Sequence, residues 1–511
     1  MTVSQHGNFL PDWLTRCAEQ TPEQLALQCG QVRWSFAELA RQAVQLAGQL
    51  AAVGVGVGSR VALLAANGPA CVACVHALAH LGAVLVPLNT RLSVGELCWQ
   101  LEDVQAMLLV SDTSMAELAR GLAVALPRAC LQEVRQGSVQ RILLTRQGSP
   151  CAVGEVSLRP LIDLEATQAI IYTSGTTGRP KGVLITYGMQ WWNAVGSALN
   201  LGHRRDDCWL ACLPLFHIGG LSILMRSVIY GISVILQETF DEQAVNQAIR
   251  CEGVSIISVV AVMLQRMLAD LECTQGQAYP PTLRCVLLGG GPAPRPLLQR
   301  CASLQIPVAQ TYGLTESCSQ AVTLAPCDAL RKPGSAGRPL LPLQLRVLHH
   351  GCPQAVGEVG TIYLKGPTIT PGYADRPAAT AEALHDGWLC TGDLGYLDAD
   401  GYLYVLERRS DLIISGGENV YPAEIESALL AHPAVAEAGV CGQDDPTWGQ
   451  VPLAFVRLYP GCSLTPEALL AHVRQDLAGY KVPRQIVFVA TLPRNSSGKL
   501  LRRELRGLLS V

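Results

Sequence analysis

A string rich in glycine and hydroxyl groups, Thr173-Ser-Gly-Thr-Thr-Gly-Arg-Pro-Lys181, carries the clearest chemical signal in this chain of 511 residues. The apolar run Ala169–Tyr172 precedes it and predicts a strand that ends at a loop. The glycines would let backbone N–H groups approach polyphosphate oxygens, the hydroxyls would donate hydrogen bonds, and Lys181 would offset negative charge. The other predicted phosphate-binding residues are Thr173, Ser174, Gly175, Thr176, Thr177 and Gly178. The string lacks the Gly-Lys-Ser/Thr ending of a Walker-type loop, and an ordinary polar surface loop is the alternative.

Four further strings follow this predicted phosphate loop along the chain. They are Gln310–Glu316, Thr391–Asp393, Glu407–Glu418 and Leu492–Lys499. In this order the five strings resemble the signature of the adenylate-forming superfamily, which comprises acyl- and aryl-CoA synthetases, peptide-synthetase adenylation domains and luciferases. The resemblance covers nearly the whole chain. It implies an enzyme that uses ATP and Mg²⁺ to adenylate a carboxylic acid.

The resemblance implies roles for single residues in forming the acyl-adenylate. Lys499 would bridge the carboxylate and the α-phosphate as charge builds up in the transition state. Glu316 would bind the Mg²⁺ that accompanies ATP, and Thr315 would reach the α-phosphate. The remaining residues predicted to contact ATP are Gly290, Tyr312, Asp393 and Arg408. Each side chain taken singly has an ordinary alternative, as a turn former, a solvated charge or a core ring.

Members of this superfamily that make thioesters rotate their C-terminal domain after adenylation, which implies further residues for CoA. Gly416 and Gly417 would form the loop that pantetheine passes, because glycine leaves room there. Ser410 matches the hinge position, where many relatives carry Asp or Lys. His217 matches the position that gates the pantetheine channel in relatives, and a buried core histidine is the alternative. The segment from Tyr480 holds seven Lys or Arg against one acidic residue, which could favour CoA phosphates or simply face solvent.

Longer strings, among them Leu213–Ser222 and Ser410–Glu426, look like the o-succinylbenzoate–CoA ligases of menaquinone and phylloquinone biosynthesis. The resemblance implies an aromatic dicarboxylate substrate, so the acyl pocket should keep polar groups or ordered water for a second anion. The polar residues in segments that line this pocket in relatives are Ser222, Arg226, Ser317, Ser319 and Gln320. Arg226 could equally pair with a structural carboxylate. Another aryl- or medium-chain acyl-CoA synthetase, or a nucleotide-binding member without activity, is the alternative to this substrate.

Alternating helical and strand-like patterns predict the elements that must position these residues. Phe36–Leu50 repeats apolar residues every three or four positions, as an amphipathic helix does, and Cys285–Leu288 is typical of a buried strand. The continued alternation predicts mostly parallel sheets covered by helices. Short alternating strands from about Gly334 to Tyr404 then predict a β-rich subdomain.

A small unit closes the chain. Pro422 suits the first turn of a helix, and a last helix should begin at Leu500. The predicted fold class is α/β, with a large N-terminal adenylation domain at 1–409 and a small, mobile α+β domain at 410–511.

Composition limits the partners of this chain. A net charge of −3 without a basic stripe argues against nucleic acid as the main partner. The apolar stretches Cys71–Leu88 and Leu221–Leu236 are interrupted and fall short of the about 20 residues that a spanning helix needs, so each predicts a buried helix followed by a strand. The 19 cysteines follow no disulfide or metal pattern, and no secretory signal is recognisable, which predicts a cytoplasmic enzyme. The expected partners are ATP, CoA and an aromatic dicarboxylate, with a homo-oligomer left open.

Overall fold

The computed structural model describes most of the chain with side chains. The described residues are 8–125, 129–136, 139–146, 158–173, 180–273, 278–291, 293–329, 331–349, 351–408, 411–415, 418–445, 448–475, 477, 479–495 and 498–510.

Helices are spread over the whole described chain. They are α1 (Trp13–Gln20), α2 (Phe36–Ala52), α3 (Pro69–Leu81), α4 (Val94–Asp103), α5 (Ala116–Ala125), α6 (Tyr187–Leu201), α7 (Ile218–Tyr230), α8 (Glu242–Cys251), α9 (Ala261–Cys273), α10 (Arg295–Ser303), α11 (Pro377–Ala383), α12 (Pro422–Leu430), α13 (Pro466–Val473) and α14 (Arg502–Leu505).

Strands alternate with these helices in the first two thirds of the chain and then follow one another directly. They are β1 (Phe9–Pro11), β2 (Leu25–Cys29), β3 (Val32–Ser35), β4 (Arg60–Leu64), β5 (Val84–Pro87), β6 (Leu108–Ser111), β7 (Ala129–Gln136), β8 (Val139–Arg146), β9 (Leu161–Asp163), β10 (Thr167–Thr173), β11 (Lys181–Thr186), β12 (Cys208–Ala211), β13 (Ser233–Leu236), β14 (Ile256–Val260), β15 (Cys285–Gly289), β16 (Val308–Tyr312), β17 (Val322–Thr323), β18 (Arg338–Pro339), β19 (Gln344–His349), β20 (Cys352–Pro353), β21 (Gly360–Lys365), β22 (Leu384–His385), β23 (Trp388–Leu397), β24 (Leu403–Arg408), β25 (Ile413–Ser415), β26 (Glu418–Val420), β27 (Val435–Asp445), β28 (Gly449–Leu458) and β29 (Gln485–Phe488).

Two large sheets with parallel centres confirm the predicted architecture of the N-terminal part. One has the order β11-β10-β5-β4-β6-β8-β7, with β10, β5, β4 and β6 parallel and antiparallel strands at both edges. The other has the order β18-β17-β16-β15-β14-β12-β13-β2-β3, parallel from β16 to β2. Such sheets must be covered on both faces. Helix α3 is one of the covering helices. It lies between packed layers, since nearly all of its side chains are buried.

Local sequence accounts for helix α2, as predicted. Ser35 accepts a hydrogen bond from the Glu38 amide, and the Glu38 carboxylate accepts one from the Ser35 amide, so the first turn is capped in both directions. The buried side chains Phe36, Leu39 and Leu46 then lie on one stripe of the helix.

The apolar stretches Cys71–Leu88 and Leu221–Leu236 are buried helix followed by strand, namely α3 with β5 and α7 with β13. Among the described residues, no helix combines the length and the apolarity that crossing a bilayer requires.

The β-rich subdomain and the small C-terminal unit also form as predicted, with one difference. Strands β19 to β24 build an antiparallel sheet, and β25 to β29 with α12 and α13 build the last unit. Pro422 is the first residue of α12. The prediction that the last helix begins at Leu500 is wrong, since α14 begins at Arg502. Leu500 instead lies in an extended bridge with Arg494, and its side chain lies against Gly439 of β27.

Candidate active site

Three neighbouring parallel strands end at one edge of the second sheet, and the predicted nucleotide residues lie there. β14 ends at Val260, β15 runs into Gly289–Gly291, and β16 ends at Tyr312. Loops at the carboxyl ends of parallel strands are where ligands bind in such sheets. Gly290 has a φ of +82°, and a Cβ atom there would lie 2.9 Å from Val260 Cγ1. Glycine is therefore required at the centre of this edge.

The predicted adenosine residues meet across two sheets. The Tyr312 hydroxyl donates a 2.7 Å hydrogen bond to Asp393 Oδ2, and Asp393 is buried. The backbones of Asp393 and Arg408 are paired on β23 and β24. Thr391 accepts a 3.1 Å hydrogen bond from the Asp393 amide, across a Gly392 with a φ of +73°. The Thr391-Gly-Asp393 turn thus fixes the carboxylate beside the tyrosine.

Glu316, the predicted metal-binding carboxylate, and Lys181, the predicted phosphate-loop lysine, both contact Tyr373. The Tyr373 hydroxyl donates a 3.0 Å hydrogen bond to Glu316 Oε1, and Lys181 Nζ lies 5.2 Å from the centroid of the Tyr373 ring. Thr370 ties the same loop to Glu316, because its amide donates a 2.8 Å hydrogen bond to the Glu316 carbonyl. Tyr373 lies outside every string that the sequence singled out. It was missed because only folding brings it to Glu316, 57 positions away.

The two ends of the phosphate loop are held side by side. Thr173 and Lys181 are opposite each other on β10 and β11, and the Thr173 hydroxyl lies 3.5 Å from the Lys181 carbonyl oxygen. The predicted contacts Ser174, Gly175, Thr176, Thr177 and Gly178 lie outside the described residues. Their contact with phosphate stays a prediction.

Lys499 reaches the glycine edge from the C-terminal unit. A cavity of about 130 Å³ lies between the two parts of the chain. Its wall includes Val260, Gly289, Gly290 and Gly291 from the large part and Glu437, Arg494, Gly498 and Lys499 from the small part. The cavity brings the predicted catalytic lysine and the predicted nucleotide edge together in one space. That is the juxtaposition an acyl-adenylate-forming step requires.

His217 stands immediately before helix α7, with its ring centroid 4.7 Å from that of Phe216. Burial lowers the pKa of His217 to about 4, and the charge of Arg91 acts in the same direction. The imidazole is therefore neutral at pH 7. A neutral ring suits both the predicted gate and the core alternative, so the gate stays a prediction.

The acyl-pocket candidates form one buried polar chain between α7, α6 and the turn after Glu316. Arg226 Nη2 donates a 2.5 Å hydrogen bond to Asn193 Oδ1. Asn193 Nδ2 in turn donates to the Gln320 carbonyl at 2.6 Å and lies 3.5 Å from the Ser317 carbonyl. The turn contains Cys318 and Ser319 with φ of +58° and +86°, so these contacts hold a conformation that non-glycine residues rarely adopt.

Ser317 and Gln320 use their side-chain polar atoms within the protein, whereas the Ser222 hydroxyl and one nitrogen of Arg226 are left over. Ser317 Oγ bonds to the Leu314 backbone, and Gln320 Nε2 donates to Ser197 Oγ at 3.2 Å. Ser222 Oγ and Arg226 Nε are buried and have no hydrogen-bond partner among the described residues. Ser222 and Arg226 are four residues apart on α7 and therefore share one face of the helix. These two side chains are the stronger candidates for contact with a bound acid.

Sequence comparison agrees with this arrangement. The sequence model of AMP-binding enzymes matches residues 14–374, and that of the AMP-binding enzyme C-terminal domain matches residues 424–499. This chain belongs to the AMP-binding enzyme family. The adenylate-forming resemblance inferred from the five strings is thereby confirmed.

Similar members of the AMP-binding enzyme family match almost end to end. A 2-succinylbenzoate–CoA ligase from Geobacillus kaustophilus (strain HTA426) is 53% identical over 503 residues, covering 98% of each chain. The o-succinylbenzoate CoA synthetase (MenE) of Bacillus subtilis in complex with the acyl-adenylate OSB-AMP is 42% identical, with a TM-score of 0.86 over 98% of each chain. The same Bacillus subtilis enzyme in complex with ATP and a magnesium ion has a TM-score of 0.85 over 98% of this chain and 100% of that one.

The residues of this AMP-binding enzyme suit a magnesium ion that arrives with its nucleotide. Among the described residues, no group of three or more His, Cys, Asp or Glu side chains gathers as a closed metal site. Mg²⁺ on a nucleotide needs only one or two protein carboxylates beside phosphate oxygens and water, and Glu316 offers one. The predicted CoA residues Gly416 and Gly417 and the hinge Ser410 lie outside the described part of the chain.

Proposed function

We propose that this chain is an ATP-dependent o-succinylbenzoate–CoA ligase. It adenylates 2-succinylbenzoate with release of pyrophosphate, and it then transfers the acyl group to CoA with release of AMP. The meeting of Lys499 with the glycine edge at Gly290 supports the adenylation step. The relatives that match nearly end to end support the choice of acid.

In the adenylation step, a carboxylate oxygen attacks the α-phosphorus of ATP, and the bond from that phosphorus to the bridging oxygen of pyrophosphate breaks. Both reactants are anions, so the site has to neutralise charge and hold them in line. Lys499 stabilises charge where the carboxylate and the α-phosphate meet. Asp393 and Tyr312 hold the nucleoside. Glu316 would hold the Mg²⁺ that accompanies ATP, and that ion would reduce the charge of the phosphates.

In the second step, the CoA sulfur attacks the acyl carbonyl carbon and AMP leaves with the electron pair of the broken mixed-anhydride bond. The thiol proton is released to solvent. We place the small domain that must rotate between these steps at residues 410–511, with Ser410 as its hinge and Gly416 and Gly417 beside pantetheine. The described cysteines form no disulfide, which supports a reducing, cytoplasmic location.

The buried guanidinium of Arg226 supports the second-carboxylate part of the proposal. Arg226 is only 2% exposed, and its guanidinium donates to the neutral amide oxygen of Asn193 instead of to a carboxylate. Burial lowers the pKa of this guanidinium, with weaker opposing effects from Tyr230 and Cys318. A buried cation without an anion is costly, and the aromatic carboxylate of 2-succinylbenzoate would supply the missing charge.

The experiment that tests this proposal measures ATP- and CoA-dependent AMP release with o-succinylbenzoate, benzoate and octanoate. We expect a strong preference for o-succinylbenzoate. A preference for either monoacid would support the ligase reaction but would refute o-succinylbenzoate as the substrate. No turnover of any acid, with nucleotide still bound, would favour a member that has lost its activity.

The variant Arg226→Met separates the second carboxylate from the rest of the pocket. Methionine has a similar length without the charge, so we expect KM for o-succinylbenzoate to rise at least about tenfold, a loss of about 1.4 kcal/mol. KM for benzoate should change little. Ser227→Ala, at the next residue of the same helix, removes a buried hydroxyl that donates to the Ile232 carbonyl; it is the matched control and should leave KM for both acids unchanged. An equal effect of Arg226→Met on both acids would reject the assignment.

A further inference from the structure

The loop that carries Lys499 is held in place by contacts within the C-terminal unit. The Asn495 amide donates a 2.8 Å hydrogen bond to the Lys499 carbonyl, and Asn495 Oδ1 accepts one of 2.8 Å from the Lys499 amide. The Leu501 amide donates to the Pro493 carbonyl at 2.9 Å. Gly498 has a φ of +79°, which a residue with a side chain would resist. Hydrogen bonds within the C-terminal unit therefore fix the backbone on both sides of Lys499.

Arg494 connects this loop to the central sheet of the unit. Its Nη1 donates a 2.8 Å hydrogen bond to the carbonyl of Gly498, which belongs to the peptide bond that leads into Lys499. Its Nε and Nη2 donate to Glu437 Oε2 at 3.1 and 2.7 Å. One planar guanidinium therefore bonds to both a strand and the loop, which a lysine ammonium at the same place could not match in geometry.

Glu437 is a firm anchor for Arg494. It lies on β27, directly opposite Arg457 on β28, and its Oε1 accepts a 2.7 Å hydrogen bond from Arg457 Nε. Its side chain is 14% exposed. Burial alone would raise the pKa of Glu437, but the bonds to Arg494 and Arg457 outweigh it and hold that pKa below its usual value. The carboxylate is therefore ionised whenever the enzyme works at neutral pH.

We propose that Arg494 is a positioning residue for adenylation, which aims Lys499 by holding the Gly498 carbonyl against the Glu437 anchor. The inference rests on the proposed function, because it assigns Lys499 to the first half-reaction. The anchor, Arg494 and the loop all belong to the C-terminal unit, so the device moves with that unit as one piece. Loss of the Arg494 contacts should slow adenylation, which uses Lys499. It should leave thioester formation, which does not use Lys499, nearly unchanged.

The test measures the two half-reactions separately. Adenylation is followed by acid-dependent exchange of labelled pyrophosphate into ATP, and thioester formation by the CoA-dependent consumption of supplied o-succinylbenzoyl-adenylate. We expect Arg494→Met to slow exchange about 10- to 100-fold, the size of effect that a small misplacement of a reacting group produces. Thioester formation should stay within about threefold of wild type. Lys499→Ala gives the full loss of exchange for comparison.

Two further variants separate positioning from stability. Arg457→Met removes the other partner of Glu437 but no contact with the loop, so it should change exchange by less than about threefold. Arg494→Gln carries the test if Arg494→Met does not fold, as judged by circular dichroism and thermal unfolding. Glu437→Gln should fall between Arg494→Met and wild type, since an amide can accept but carries no charge.

The outcomes decide the proposal. Loss of exchange alone in the Arg494 variants, with Arg457→Met close to wild type, supports it. Unchanged exchange, an equal loss of both half-reactions in a folded variant, or an equal effect of Arg457→Met overturns it. Wild-type enzyme that shows no exchange with o-succinylbenzoate would instead refute the proposed function, so the two failures are distinguishable.

Discussion

At the scale of the residue, the active site depends on side chains that contact no substrate as well as on those expected to. Tyr373 is the clearest example, because one ring lies beneath Lys181 while its hydroxyl bonds to Glu316. The predicted phosphate-loop lysine and the predicted metal-binding carboxylate are therefore not independent. Whatever moves Tyr373 moves both.

The variant Tyr373→Phe keeps the ring and removes only the hydrogen bond to Glu316. Hydrogen bonds to charged groups contribute about 1.5–3 kcal/mol, so the carboxylate should lose much of its orientation. We expect the free Mg²⁺ concentration that gives half-maximal pyrophosphate exchange to rise about three- to tenfold. Thioester formation from supplied adenylate should not change.

Tyr402→Phe is the matched control for Tyr373→Phe. The Tyr402 hydroxyl also donates to a carboxylate, that of Asp328, but within a charged cluster of Arg331, Lys332 and Arg338. It should lower the unfolding temperature without altering the Mg²⁺ requirement. A shift of the Mg²⁺ requirement in both variants, or in neither, would contradict the role given to Tyr373.

At the scale of the element, the sequence predicted features that depend on neighbouring residues. It did not predict contacts between residues far apart in the chain. The Thr391-Gly-Asp393 turn, the amphipathic helix α2 and the buried helix α3 follow from neighbours in the chain, and each was predicted. The contact of Tyr373 with Glu316 and the anchoring of Arg494 by Glu437 join residues 57 positions apart in both cases. No spacing rule marks such pairs before the strands are arranged. Leu500 shows the same limit, because its side chain lies against Gly439, a residue far away in the chain that no local pattern connects to it.

The glycine edge at the end of β15 allows a prediction at this scale. Gly290→Ala should cost about 1–3 kcal/mol of unfolding free energy, since alanine resists a φ of +82° and its Cβ would crowd Val260. The distortion should also raise KM for ATP several-fold. Urea unfolding and ATP kinetics check both effects.

Gly291→Ala, at the neighbouring residue, is the control for Gly290→Ala. Gly291 has no positive φ, and nothing lies within 4 Å of where its Cβ would be. That variant should therefore behave like wild type in both measurements. The double variant Gly290→Ala, Val260→Ala should recover part of the lost stability by removing the crowding but not the backbone strain. No difference between the two alanine variants would show that the edge is not constrained as described.

At the scale of the whole molecule, buried histidines make the fold sensitive to acid. Burial lowers the pKa of His76 to about 4, the neighbouring His80 adds to the shift, and Asp12 opposes it. An unfolded histidine has a pKa of about 6.5. Between these values the unfolded chain binds more protons than the folded one, so stability is full above pH 6.5 and falls as pH drops towards 4.

The variant His76→Gln should reduce this acid sensitivity. We expect the wild-type free energy of unfolding to fall by up to about 3 kcal/mol between pH 7.5 and pH 4 on account of His76 alone, and the variant to lose that part of the fall. Urea unfolding at several pH values measures it. His385→Gln, at an exposed position, serves as the control and should follow wild type. Parallel curves for wild type and His76→Gln would contradict the prediction.

The anchoring of the lysine loop also has a consequence for how such enzymes can be recombined. Glu437, Arg494 and Gly498 lie within one continuous stretch of chain, together with the residue they serve. If the C-terminal unit were exchanged between two relatives, the residues that orient Lys499 would therefore be transferred together with it. It would need only a compatible surface on its new host. The preference for one acid would still depend on the pocket of the large domain. The orientation of Lys499 and the choice of acid could therefore be exchanged separately.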